Sequence, residues 1–104
     1  MEIEFKSKKL RKTCENYIKL CEKDGDKRAR KIVQRINELI AASNLFDISM
    51  IPNARLHPLK QNRKGQLAVD IDHPYRMILE PANGDIQDYQ TITKVIIIEF
   101  IDYH

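Results

Sequence analysis

The segment Lys94–Ile101, KVIIIEFI, constrains this chain more than any other. It is almost entirely β-branched or aromatic, so it reads as a strand buried on both faces at the centre of a sheet. Such a strand needs a neighbour on each edge and a cover on at least one face. The remaining residues must supply both. Its apolar run Val95–Ile98 is far too short to span a bilayer. The N-terminus, MEIEFKSKK, lacks the apolar core of a signal peptide. These features predict a cytoplasmic chain that makes no use of a membrane.

The cover is legible upstream. Glu2–Lys6 alternates polar and apolar residues and reads as a short strand. Ser7 stands at an N-cap position. Leu10, Cys14, Tyr17, Ile18 and Cys21 then recur at helical spacing, which predicts one helix to about Glu22. Gly25 fits its end and Asp26 the cap of a second helix. In that helix Ala29, Ile32, Val33, Ile36, Leu39 and Ile40 form the apolar stripe. Lys27, Arg28, Arg30, Lys31 and Arg35 are assigned to its outer face. Cys14 and Cys21 are about 10 Å apart along the helix axis, too far for a disulfide. Both read as buried thiols.

Residues 43–54 lack periodicity and read as a connection with a Pro52-Asn53 turn. Leu67, Val69 and Ile71 alternate with Ala68, Asp70 and Asp72, which reads as a strand with one buried face; Asp72-His73-Pro74 forms a turn, and Tyr75–Glu80 returns as a second strand. Asn83-Gly84 marks a further turn, and residues 85–93 make a polar excursion. At 104 residues the chain is expected to form one domain, 1–104. Its order is β-α-α-β-β-β, an α+β fold with two antiparallel helices packed on a mainly antiparallel sheet.

The charge is unevenly spread. Residues 1–35 carry twelve Lys/Arg against six Asp/Glu, residues 55–64 four basic residues and no acid, and residues 65–104 two basic against seven acidic residues. A basic half suits a polyanionic partner, although charged helix faces are commonly no more than solvated. No histidine or cysteine pair has metal-ligand spacing, no glycine loop suits a nucleotide phosphate, and nothing marks an activated serine.

RNA cleavage through the ribose 2′-hydroxyl fits the residues better. That reaction needs a base for the 2′-oxygen, an acid for the leaving 5′-oxygen and fixed cations around the phosphorane-like transition state. His57, Lys60, Arg63, Lys64, Arg76, Asp102, Tyr103 and His104 are of the required types. Each also has a plain reading: a turn histidine before Pro58, a solvated basic loop, an exposed strand arginine, an aromatic covering the end of the core, a frayed terminus.

Arg55-Leu56-His57-Pro58-Leu59-Lys60, Arg63-Lys64-Gly65-Gln66, Val69, Tyr75-Arg76 and the final Ile101-Asp102-Tyr103-His104 together resemble the HigB-type toxins of the RelE/ParE superfamily of bacterial type II toxin–antitoxin systems. The resemblance covers the whole length. It implies a compact RelE-like, microbial-RNase-like α+β fold. It also implies a ribosome-dependent endoribonuclease, an mRNA interferase that needs no cofactor and inhibits translation by cutting messenger RNA in the ribosomal A site. By motif position His57, Asp102, Tyr103 and His104 match the catalytic cluster. Lys60 and Arg76 match residues that stabilise the scissile phosphate, with Arg63 and Lys64 as further RNA contacts. A histidine or Asp102 would accept the proton, and Tyr103 would orient a base or the RNA backbone. The implied partners are a HigA-like helix-turn-helix antitoxin, the 70S ribosome with its rRNA, and mRNA; operator DNA would be met only through the antitoxin. Two alternatives share the superfamily: a ParE-like gyrase inhibitor, and a non-catalytic homologue that only binds antitoxin. The sequence departs from many relatives at Gln61, where they have Gly, and at Leu67, where they have an aromatic residue.

Overall fold

The computed structural model describes residues 1–102. Five strands form one sheet in the order β1-β5-β4-β3-β2, with β1 Glu2–Phe5, β2 His57–Pro58, β3 Leu67–Asp72, β4 Tyr75–Pro81 and β5 Lys94–Asp102. The β-branched segment is internal as predicted, flanked by β1 in parallel and β4 antiparallel. β3 and β4 form the expected hairpin, and β2 is an edge strand antiparallel to β3. The α+β class and the mainly antiparallel sheet are those read from the sequence.

The helical layer differs in detail. The first predicted helix is two, α1 Lys8–Glu15 and α2 Tyr17–Asp24, broken at Asn16. Asn16 has extended backbone, and its side-chain oxygen accepts from the Lys19 N–H. Asparagine competes with the helix for its own backbone donors, so it ends one helix and caps the next. The predicted Ser7 cap is present, accepting from Leu10 N–H at 3.1 Å. Gly25 ends α2 with φ 84°, a conformation that favours glycine. Asp26 does not cap α3 (Asp26–Ala41); its carboxylate instead pairs with Arg30 and accepts from the Tyr17 hydroxyl. The connection after α3 contains a fourth short helix, α4 Leu45–Ser49, capped by Asn44.

The main core lies between helices and sheet, where Leu20, Ile32, Leu39, Leu67, Met77, Leu79 and Ile97 are fully buried. A smaller apolar group, Leu59, Ala68, Ile78 and Ile98, occupies the opposite sheet face. Cys14 and Cys21 are free thiols, half-buried rather than buried. Arg35 is not on an outer face: it is 3% exposed, and its Nε donates to the Asp70 backbone carbonyl at 2.8 Å. Among the described residues no helix is long and apolar enough to cross a membrane.

Candidate functional site

The site is built on the sheet face turned away from the main core. Directly opposed residues of antiparallel strands share a face, and alternate residues share it along a strand. His57 lies opposite Ala68, which lies opposite Ile78; the next row is Asp70 opposite Arg76. One edge strand and one hairpin therefore bring His57, Asp70 and Arg76 together.

Local bonds orient the imidazole. His57 Nδ1 is 2.7 Å from the Arg55 carbonyl oxygen, which can only accept, so Nδ1 carries the hydrogen. In the neutral ring the other nitrogen, Nε2, then keeps its lone pair, and it stands 3.5 Å from Arg76 Nη1. This tautomer suits a proton acceptor next to a fixed cation. Arg55 sits in the left-handed region at φ 47°, immediately after the turn Pro52–Ala54. Strain of this kind costs about 1–3 kcal/mol and is held by the surrounding structure.

Asp70, which sequence reasoning left as an ordinary strand residue, is the buried anion of the cluster. It is 6% exposed and faces Arg76 Nε at 3.6 Å and Arg55 Nη1 at 3.4 Å. A β-bulge at Ile71 creates this pairing. With the tight turn at His73-Pro74 and no bulge, Asp70 would oppose Met77.

Asp102 is elsewhere. It pairs in register with Tyr75, whose ring packs in the main core, so both point toward the helices. Its carboxylate accepts from Arg28 Nη2 at 3.3 Å, and that guanidinium lies 4.2 Å from the Tyr75 ring centre. The Tyr75 hydroxyl donates to Asp24 at 2.6 Å. Burial, then the Asp24 bond, raises the Tyr75 phenol well above its ordinary range. Asp102 and His57 are thus on opposite sheet faces. Tyr103 and His104, expected to complete the cluster, lie outside the described residues.

The basic loop divides in the same way. Arg63 turns back on the sheet, bonding Gln66 at 3.0 Å and pairing with Glu99 at 3.4 Å. Lys60 and Lys64 are exposed and line a cleft of about 820 Å³ between the loop and residues 86–90. Gln61 adopts φ 58°, so the position where many relatives have glycine is one that favours it. Among the described residues no three His, Cys, Asp or Glu side chains are gathered to hold a metal ion. The cluster offers an oriented imidazole beside a guanidinium, a set suited to proton transfer at a phosphate, and the basic loop that follows β2 carries two exposed ammonium groups.

No protein-family model and no curated protein matches the sequence. Solved structures do. YafQ from E. coli strain BL21(DE3) superposes with a TM-score of 0.62 at 16% identity, over 95% of this chain and 89% of that one. A YoeB/ParE toxin from Agrobacterium tumefaciens gives 0.58 at 12% identity, over the full length of both chains. The YoeB–YefM complex from Staphylococcus aureus gives 0.58 at 15% identity, over 100% of this chain and 97% of that chain. The chain therefore has the RelE-like fold.

Proposed function

We propose that this chain is the toxin of a type II toxin–antitoxin pair, of HigB type, and that it cuts messenger RNA in the ribosomal A site. The observation that carries the reading is the His57–Arg76 pair: an imidazole oriented by the Arg55 carbonyl, with Nε2 3.5 Å from a guanidinium, on the sheet face away from the main core. In the reaction a base takes the proton of a ribose 2′-hydroxyl, the 2′-oxygen attacks the adjacent phosphorus, and the 5′-oxygen leaves with a proton from an acid. His57 is the base available on this face. Arg76 holds the phosphate oxygens, and Lys60 and Lys64 neutralise the flanking backbone. Asp70 holds Arg76 in place. Tyr103 and His104 keep the catalytic roles their motif implies, with His104 as the acid. Asp102, engaged by Arg28, fixes the end of β5. The partners are the 70S ribosome and a HigA-like antitoxin; the fold is shared with a chain described as a toxin and with one described in a two-protein complex.

Primer extension on a defined mRNA, with purified 70S ribosomes and without, tests the reading. Ribosome-dependent cuts within codons are expected. His57→Ala should slow them by about 10²–10⁴-fold in a protein that still folds, the contribution of one general base. No cuts by the folded wild type would refute the nuclease reading. Inhibition of DNA supercoiling by gyrase in that case would assign the chain to the ParE-like activity instead.

A further inference from the structure

Resting on the nuclease reading, the geometry points to a second site: the cleft between the basic loop and residues 86–90 takes one unstacked nucleotide of the RNA. Its base would lie against Tyr89 and Phe46, and its phosphates on Lys60 and Lys64. Three observations carry this. First, the cleft of about 820 Å³ is in the size range of pockets that bury small ligands, and Pro58, the residue after His57, lines it. Pro58 and His57 are neighbours along β2, the edge strand, so an RNA strand leaving the cleft passes that edge.

Second, the cleft combines cations with aromatic faces. Among the described residues neither Lys60 nor Lys64 makes an ion pair, whereas Arg63 between them is neutralised by Glu99. Asp88, the one carboxylate among the lining residues, already accepts from the Gln90 N–H. Phe46, from α4, is exposed, and Tyr89 is half-buried against the core. Unpaired ammonium groups sharing a cleft with one exposed and one half-buried ring match the two components of a single-stranded nucleotide. The amides of Gln61, Gln87 and Gln90 line the same space and offer donors and acceptors to a base edge.

Third, the aromatic wall is built rather than loose. Gly84 has φ 73°, and a Cβ there would stand 2.3 Å from the Thr91 carbonyl oxygen. The Thr91 hydroxyl accepts from Asp85 N–H and donates to the Asp88 carbonyl, both close bonds. Asn83 brackets Thr93 and Lys94. The excursion is a bonded platform under Tyr89, so its ring needs little ordering on binding.

The test uses a 2′-deoxy oligonucleotide, which lacks the attacking hydroxyl, titrated into ¹⁵N-labelled protein. Amide shifts are expected at residues 59–65 and 86–90. Tyr89→Leu and Phe46→Leu keep apolar volume and remove the ring; each should weaken binding roughly 5- to 150-fold, the range for one base–aromatic stack. Lys60→Ala/Lys64→Ala should lower the salt slope of binding by about 1.4, two phosphates of a single strand. No shifts in the cleft at about 1 mM oligonucleotide, beyond the weak end of phosphate-driven binding, would overturn the proposal. So would an acidic amphipathic peptide that shifts these amides when the oligonucleotide does not. On ribosomes, the Tyr89→Leu/Phe46→Leu protein should cut with altered codon preference. Unaltered preference and KM would overturn the cleft and leave the nuclease reading standing. Binding in the cleft by a wild type that never cuts would do the reverse.

Discussion

Asp70→Asn is the sharpest probe of the cluster, because it removes one charge and almost no volume. At 3.6 Å and an effective dielectric of 20, Asp70 and Arg76 attract by about 4–5 kcal/mol. Their side chains are 9% and 12% exposed, so screening by water removes little of this. Arg55 is 56% exposed and adds no more than about 1 kcal/mol. Against these gains stands the cost of burying a carboxylate, which asparagine largely avoids. Breaking a buried pair from one side costs about 3–5 kcal/mol; the separation, beyond hydrogen-bond distance, puts this one at the lower end, about 3 kcal/mol. For a chain of this length that lowers Tm by about 12 °C. Thermal unfolding followed by circular dichroism at 222 nm reads the shift. Cleavage should fall at least about tenfold, because Arg76 loses the carboxylate that aims it. Asp70→Asn/Arg76→Gln should be less unstable than the sum of its single variants, by about 1–3 kcal/mol in a double-mutant cycle. A Tm within 2 °C of wild type for Asp70→Asn would refute the reasoning: Asp70 would then not be the counter-charge that holds Arg76.

Other perturbations have distinct expected outcomes. Arg35→Met keeps volume but leaves the Asp70 carbonyl and Glu38 without their guanidinium; a loss of about 2–3 kcal/mol in urea unfolding is expected, and an unchanged midpoint would contradict the role given to this buried arginine. Gly84→Ala combines a left-handed backbone, about 1–2 kcal/mol, with a clash against the Thr91 backbone, so at least about 3 kcal/mol should be lost. Burial pushes the Cys14 thiol from 9.0 up to about 11, so at pH 8 its thiolate is about 100-fold scarcer than that of an ordinary cysteine. Iodoacetamide followed by mass spectrometry should modify it about 100-fold more slowly in the native protein than in urea. The sign for stability follows: the raised pKa favours the folded form below pH 9, and that contribution disappears as pH rises from 9 toward 11. Tyr75, raised in the same direction, adds to the alkaline loss.

The elements were legible because each had a local signal. Alternation gave the hairpin, β-branching gave the internal strand, and Ser7 and Gly25 marked helix ends that the structure keeps. What escaped was non-local or cancelled by a single residue. Asn16 looked like one polar position within an apolar period, yet its short side chain satisfies backbone donors that the helix would otherwise use. Arg35 looked like one more cation on a basic face; only the fold places the Asp70 carbonyl within its reach. Asp70 itself was hidden by register. Counting back from the His73-Pro74 turn pairs it with Met77, and one extra residue at Ile71 moves it opposite Arg76. His57 and Arg76 were found through motif resemblance, and their contact follows from pairings that no periodicity specifies.

The same register argument revises how the charge should be read. In sequence, a basic N-terminal half faces an acidic C-terminal half, which suggests a broad cationic surface made by the helices. In space much of that contrast cancels where α3 meets the hairpin end and the end of β5. Lys27 pairs with Asp72 and Arg28 with Asp102, while Arg30 and Arg35 find Asp26 and Glu38 within the helix. Exposed pairs contribute little to stability, but they remove the field that the uncancelled charges would have projected. The loop cations Lys60 and Lys64 make no ion pair among the described residues, although Asp88 lines the same cleft. They line the cleft beside β2, while Lys27 and Arg28 of α3 lie on the Asp102 side. Compared with Arg28 and Arg30, these loop cations meet a polyanion without a paired acid. The salt dependence of RNA binding should be carried by Lys60 and Lys64 far more than by Arg28 or Arg30, although the sequence alone gives all four the same formal charge.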